Sequence, residues 1–196
     1  MNSYPKEIAK DYWNEKAKED ALFWTWSNKV SEDEYFKSGV NWVENWMKKY
    51  FPEQRDTCLE IGCGCGRLAL PMASYFKNII GIDISDKMIE IADKYKTIKQ
   101  VKNIGYYRCD NLDDVKMQFD FIYSVTAFQH MEYKDWMEYI EKGFGKLNSG
   151  GIFYVHAYFN GKDDDIKNSF KKIGFDIINS ENEGECRIVI LKKLCL

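Results

Sequence analysis

Between positions 58 and 70 the chain reads Cys-Leu-Glu-Ile-Gly-Cys-Gly-Cys-Gly-Arg-Leu-Ala-Leu. An apolar run ends at Glu60, glycines follow at 62, 64 and 66, and a helical pattern starts at once. That order predicts a buried strand, a tight turn and a helix N-terminus. Glycine admits positive φ and lets a ligand reach bare backbone. A helix start adds unpaired N–H groups and partial positive charge, which suit a carboxylate or phosphate. Glu60 can accept hydrogen bonds from a cation or from hydroxyls. A dinucleotide-binding turn would carry its third glycine at position 67, where Arg67 stands. Asp83 lies about twenty residues past the glycines, a spacing at which a carboxylate can chelate ribose hydroxyls.

Other reactive side chains are few. Cys63 and Cys65, with Cys58 and Cys109 as helpers, are the only cysteines near the turn. A C-x-C pair inside a glycine turn, without a second pair at zinc spacing, does not make a metal site. They read as small residues filling a crowded bend, and no metal is expected. Of the two histidines, His130 follows the fourth strand. It is a candidate proton acceptor for a hydroxyl substrate, or simply a loop-bonded residue. His156 sits in the fifth strand, where core packing is the default.

The elements that position these groups alternate. Strands are expected at 57–61, 79–83, 104–109, 119–125 and 152–158. Helices are expected at about 67–75 and 134–144, with Pro71 a mild perturbation, and after the N-cap Ser85 over Met88, Ile89, Ile91 and Ala92. A turn at Leu147–Gly151 feeds the fifth strand. After Asn160-Gly161 a short helix runs to Ile173, with Gly174 as its C-cap. Two final strands, 175–180 and 187–191, turn at Asn182-Glu183-Gly184. Upstream, residues 5–18 read as a helix, and 21–26 as an aromatic stretch without period. Ser31–Glu34 has the form of a capping box, and it opens a helix bent at Gly39 and ended by Pro52. Alternating β and α units imply a mainly parallel sheet with helices on both faces. Ligands then sit beyond the carboxyl ends of the strands.

The E-x-G-x-G-x-G form of Glu60–Gly66 resembles the first motif of class I S-adenosylmethionine-dependent methyltransferases. Tyr12-Trp13 with Ala17 resembles the Y-W-x-x-x-A opening of many small-molecule members, and Phe128-Gln129-His130 resembles the same branch. The resemblance covers about Tyr12 to the C-terminus. It implies a Rossmann-like three-layer α/β sandwich with a mostly parallel seven-stranded sheet in the order 3-2-1-4-5-7-6, strand 7 antiparallel, and an N-terminal helical cap. Residues 1–50 would form the lid and 51–196 the cofactor-binding domain, as one unit. The resemblance also implies the cofactor S-adenosyl-L-methionine, with S-adenosyl-L-homocysteine as product. Its loop (Glu60, Gly62, Cys63, Gly64, Gly66) would wrap the amino-acid end. Tyr12 would reach the carboxylate and Asp83 would hold the ribose. Ile84 and Met88 would pack on the adenine, and Asp110 would accept its amino group, with Asn111 or Cys109 framing the ring. Ser124 completes the set. Arg67 could add charge at the carboxylate end, or face solvent as a first helical residue. Trp24, Trp26, Phe128 and Tyr158 are candidates for the acceptor pocket, with Phe23 beside them.

Composition narrows the partners. The 196 residues carry a net charge of -3 with both signs interspersed, so no basic field points to nucleic acid. The segment after the fourth strand also lacks the Asp/Asn-Pro-Pro-aromatic signature of base-directed amino-methyltransferases. No apolar run reaches the roughly 20 residues that cross a bilayer. No signal-peptide core precedes the first helix, which together with reduced cysteines implies a cytoplasmic setting. The expectation is therefore methyl transfer to a small-molecule N, O or S nucleophile. A protein or peptide side chain as acceptor is the alternative, and so is a non-catalytic cofactor-binding subunit. A nucleotide-type oxidoreductase is disfavoured by Arg67.

Overall fold

The computed structural model describes residues 3–26, 29–159 and 163–194. Its centre is a seven-stranded sheet of β1 (Thr57–Ile61), β2 (Asn78–Asp83), β3 (Ile104–Arg108), β4 (Phe119–Val125), β5 (Leu147–Ala157), β6 (Phe175–Glu183) and β7 (Cys186–Lys193). The order is β3-β2-β1-β4-β5-β7-β6, and β7 runs antiparallel to β5 and β6. This is the expected topology. Around the sheet lie α1 (Lys6–Trp26), α2 (Glu32–Trp42), α3 (Ala69–Met72), α4 (Asp86–Ile98), α5 (Tyr133–Lys146) and α6 (Asp163–Ile173).

Both faces of the sheet are covered, so its strands are apolar on both sides. Cys58, Phe121, Tyr123, Tyr154 and Ile190 pack with residues of α2 and α4. Their strand neighbours Leu59, Ile122, Phe153 and Leu191 pack with Ile140 of α5 and Phe170 of α6. Glu60 faces the first of these layers, against Tyr123, Arg67 and the end of the glycine turn.

The helical prelude differs from expectation. The first helix does not stop near Lys18. It runs to Trp26 across a break at Asp20, where φ is −165° and ψ 91°. There the Phe23 N–H donates to Asp20 Oδ1 at 3.1 Å, so Asp20 caps the second half. The aromatic stretch 21–26 is therefore helical. Ser31 and Glu34 form the reciprocal capping box. α2 is continuous through Gly39 and passes into a π-helical turn at Val43–Met47 and a 3-10 turn at Lys48–Tyr50. Ser85 caps α4 through the Met88 N–H at 3.1 Å. Asn14 of α1 reaches the same cap, accepting from Ser85 Oγ at 2.7 Å and from the Lys87 N–H at 3.2 Å. These bonds dock α1 beside the carboxyl edge of the sheet.

Smaller departures have local causes. The helix expected at 67–75 is regular only over Ala69–Met72, because turns flank it on both sides. The turn expected at 147–151 is absorbed into β5, with Gly150 at φ 76° and a register shift against β4. The final hairpin turns one residue later than expected: Glu183 pairs with Cys186, and Gly184 has φ 58°. Gly174 ends α6 at φ 114°, with its N–H on the Lys171 carbonyl at 3.1 Å. The turn expected at Asn160-Gly161 lies outside the described residues.

Candidate functional site

β1 ends in the glycine turn because nothing larger fits there. The Gly62 and Cys63 N–H groups both donate to the Ile82 carbonyl, at 2.8 and 2.9 Å, folding the turn back over β2. Gly62 has φ 75°, and a Cβ there would stand 2.3 Å from that of Ala127. Gly64 has φ 50°, and its Cβ would stand 2.8 Å from Thr25 Cγ2. Asp83 ties the turn to the next loop. Its Oδ2 accepts from the Gly64 N–H and its Oδ1 from the Ser85 N–H, each at 2.9 Å.

These residues form one side of a cavity of about 1100 Å³, counting its open mouth. Glu60, Gly62, Cys63, Gly64, Asp83, Ile84 and Met88 line it, as the sequence led us to expect, together with Trp24 and His130. Arg67 lines it as well. It is buried, at 8% exposure, and does not face solvent.

The electrostatics follow from enclosure. Burial pushes the Glu60 carboxyl up to about 8; the Tyr123 hydroxyl and the Arg67 charge oppose that, and Asp83 adds to it. Tyr123 donates to Glu60 Oε2 at 3.0 Å. Burial also raises Asp83, held back by the N–H groups of Ser85, Gly64 and Ile84. It lowers Arg67, against the pull of Tyr35 and Glu60.

Several expected residues stand elsewhere. Gly66 has φ 81°, but the atom that a Cβ would strike is the Tyr106 hydroxyl, at 2.3 Å; this glycine serves packing beneath the turn. Tyr12 stacks on Tyr4, with centroids 4.1 Å apart, and it is the neighbouring Trp13 that lines the cavity. Asp110 pairs with Arg108 at 2.7 Å. Asn111 caps a 3-10 turn and accepts from Lys142 at 2.8 Å, while Cys109, the other residue expected beside the ring, lines the cavity. Ser124 is fully buried, donating to the Ile61 carbonyl at 3.0 Å. Phe128 is core, stacked on Trp136. Trp26 packs edge-on to Tyr35, and Tyr158 is 40% exposed; neither lines the cavity. His156 is buried against Trp42, with Nε2 3.2 Å from Glu183.

The sequence reading missed Tyr4, Thr25, Tyr35, Thr126 and Tyr139, all in the lining. Thr25 lies between two tryptophans that were singled out. Thr126 takes a left-handed φ of 62°, a conformation that costs about 1–3 kcal/mol for a non-glycine residue and that no residue type announced. His130 sits edge-on to Trp13, with centroids 5.1 Å apart. Its carbonyl accepts from the Tyr4 N–H at 2.9 Å, so the N-terminal segment closes over that end. Among the described residues no group of three or more His, Cys, Asp or Glu is placed to share a metal ion, and no helix is long and apolar enough to cross a membrane.

The chain's similarities point one way. Residues 58–151 match the family model of a methyltransferase domain. A ubiquinone biosynthesis O-methyltransferase from Chelativorans sp. (strain BNC1) is 30% identical over 125 residues, covering 63% of this chain and 45% of that protein. A tRNA/tmRNA (uracil-C(5))-methyltransferase from Campylobacter lari is 36% identical over 69 residues, 35% of this chain and 19% of that protein. The chain thus spans less than half the length of these curated relatives. In fold it is similar to magnesium protoporphyrin IX methyltransferase from Synechocystis PCC 6803 with bound S-adenosylmethionine. That match has a TM-score of 0.72 at 18% identity, over 96% of each chain. Motif, sheet order and family model agree: residues 58–151 carry a methyltransferase domain, in a sheet with the order expected of class I S-adenosylmethionine-dependent methyltransferases.

Proposed function

We propose that this chain transfers the methyl group of S-adenosylmethionine to a small-molecule nitrogen, oxygen or sulfur nucleophile. The observation that carries the reading is a single cavity joining the Gly62–Gly64 turn, two enclosed carboxyls and soft or aromatic walls. The cofactor supplies an electrophilic methyl on a positively charged sulfur. For the nucleoside, Asp83 would take the ribose hydroxyls, with Ile84, Met88 and Cys109 beside the base. Glu60 would face the ammonium. The ring faces of Trp13 and Trp24 suit a sulfonium, at roughly 0.5–2 kcal/mol each.

The protein's part is alignment and exclusion of water, and well-oriented reactants can recover about 7–11 kcal/mol of barrier. Residues 1–50 would act as the cap and 51–196 as the binding domain. His130 lines the cavity and is the candidate base for a hydroxyl acceptor; a neutral amine needs none. A small acceptor is supported by the ubiquinone and porphyrin relatives. The charge of -3, and a cavity whose described lining holds one Arg and no Lys, weigh against RNA, although an RNA enzyme is among the relatives.

The test has two stages. Calorimetry should show S-adenosylhomocysteine binding that Asp83→Ala weakens tenfold or more; no binding to the wild type defeats the reading. Tritium transfer from labelled cofactor should then label a metabolite extract. Label in the proteome or in RNA instead would reassign the acceptor, and label in none would leave a non-catalytic subunit.

A further inference from the structure

The cavity holds more negative charge than its cofactor balances. The described lining brings three carboxyl groups, Glu60, Asp83 and Asp135, against the single guanidinium of Arg67. S-adenosylmethionine carries two positive groups, sulfonium and ammonium, and one carboxylate. With Glu60 ionised beside the ammonium, cavity and cofactor together stand at one negative charge. Asp83 is tied into the turn by the Gly64 and Ser85 N–H groups, and Glu60 accepts from Tyr123. Asp135 is left over. It is half-buried on the first turn of α5. Among the described residues its carboxylate takes part in no hydrogen bond and in no ion pair within 4.0 Å. The adjacent Lys134 pairs with Glu132 instead, at 3.1 Å.

Aromatic rings share that end of the cavity. The segment from β4 to α5 carries His130, edge-on to Trp13, and Met131, which bridges to Tyr4. Tyr139 stands four residues beyond Asp135, on the same face of α5. Trp13, Tyr4, His130 and Tyr139 all line the cavity with Asp135.

We propose that the acceptor is an amine with an apolar body, taken up as its ammonium ion with Asp135 as counter-ion. Ring faces attract a cation, and a carboxylate fixes it by charge-assisted hydrogen bonds. A positive acceptor closes the charge balance, whereas an acid would add to the excess. The inference deepens the proposed function and rests on it. The ammonium gives up a proton to water at the open mouth. The freed lone pair on nitrogen then forms the N–C bond, and the pair of the broken C–S bond stays on sulfur. A first-turn carboxylate also favours its own helix, so the test separates the two roles.

Calorimetry on the whole chain saturated with S-adenosylhomocysteine compares benzylamine, 2-phenylethylamine and hexylamine with the alcohols and carboxylic acids of the same skeletons. At least one amine should bind tenfold or more tighter than its alcohol, and its acid should not bind. Asp135→Asn should remove that preference, and Asp135→Glu, which keeps the charge, should retain it. With S-adenosylmethionine in place of the product, the same amine should gain one methyl on nitrogen, read by mass spectrometry. Should D135N fail to fold, Asp135→Ser takes its place. A purely helix-stabilising Asp135 would lower the urea midpoint of D135N and leave the amine-to-alcohol ratio as it was, which overturns the proposal. So would amines that bind no better than their alcohols, or an amine that binds without being methylated. Absence of S-adenosylhomocysteine binding to the wild type would instead defeat the functional reading itself.

Discussion

Replacing Glu60 by glutamine removes one ionisable proton from the inner wall of the cavity and keeps the side chain's shape. The amide oxygen can still accept from Tyr123, which donates to the carboxyl at 3.0 Å. Burial raises Glu60 from 4.5 to about 8, with Asp83 adding to the rise and Tyr123 and Arg67 opposing it. Below pH 4.5 the carboxyl is neutral in both the folded and the unfolded chain, so the two proteins should depend on pH alike. Between there and pH 8 the unfolded chain loses this proton and the folded one keeps it. The wild type therefore loses stability against E60Q at about 1.4 kcal/mol per pH unit. Above pH 8 the difference levels off, at a total on the order of 4–5 kcal/mol. Urea unfolding of both proteins at pH 5, 7 and 9 reads this directly, as a gap that opens with pH. Ligand binding supplies a second readout. A cation beside Glu60 favours its ionised form, so wild-type protein at pH 7 should release close to one proton when S-adenosylhomocysteine binds, and E60Q none. Titrations in phosphate and in Tris would then give different heats for the wild type only. A stability gap independent of pH, or equal proton release from both proteins, would refute the argument from enclosure.

Other substitutions probe the frame around the turn. Gly66→Ala should cost about 2–3 kcal/mol, because it strains a φ of 81° and drives a Cβ to within 2.3 Å of the Tyr106 hydroxyl. Among the described residues that hydroxyl is buried without a hydrogen-bond partner, so Tyr106→Phe alone should stabilise by about 1 kcal/mol and soften the effect of G66A in the double variant; both are read by urea unfolding. Gly39→Ala places a Cβ 2.1 Å from the Arg67 carbonyl oxygen, backbone against a crossing helix. It should cost about 3 kcal/mol or more in the same measurement.

What the sequence made legible was whatever chemistry fixes locally. The glycine spacing, the Ser85 cap and the Ser31–Glu34 box are each decided within a few residues, and each stands where the residues placed it. The misreadings share a different cause. Residues 21–26 showed no period because the extended backbone at Asp20 resets the helical phase, so two short registers read as none. Asp110 was assigned to a ligand, but it follows Arg108 by two residues at a strand end, and that spacing brings the two side chains to one side. Thr126 takes φ 62° just after β4, and beyond it Ala127 packs against Gly62 and Phe128 is buried. For Arg67 two readings stayed open, charge at the carboxylate end or a solvent-facing first helical residue, because nothing local decides between them. Its burial depends on α2, an element separated from it by the whole of β1 and a loop.

The cavity has two walls of different origin. The turn, Asp83, Met88, Cys109 and the β4 loop fall within residues 58–151, the part that matches the family model. Tyr4, Trp13, Trp24, Thr25 and Tyr35 come from upstream of it. The first wall is held by backbone hydrogen bonds and by glycines that tolerate no side chain. The second is held by side-chain contacts such as the docking of Asn14 on the α4 cap. Substitutions in the second wall can therefore change its shape while the glycine turn stays intact. Acceptor preference should accordingly be carried by the prelude and by Asp135, just beyond the Tyr4–Met131 bridge where the two walls meet.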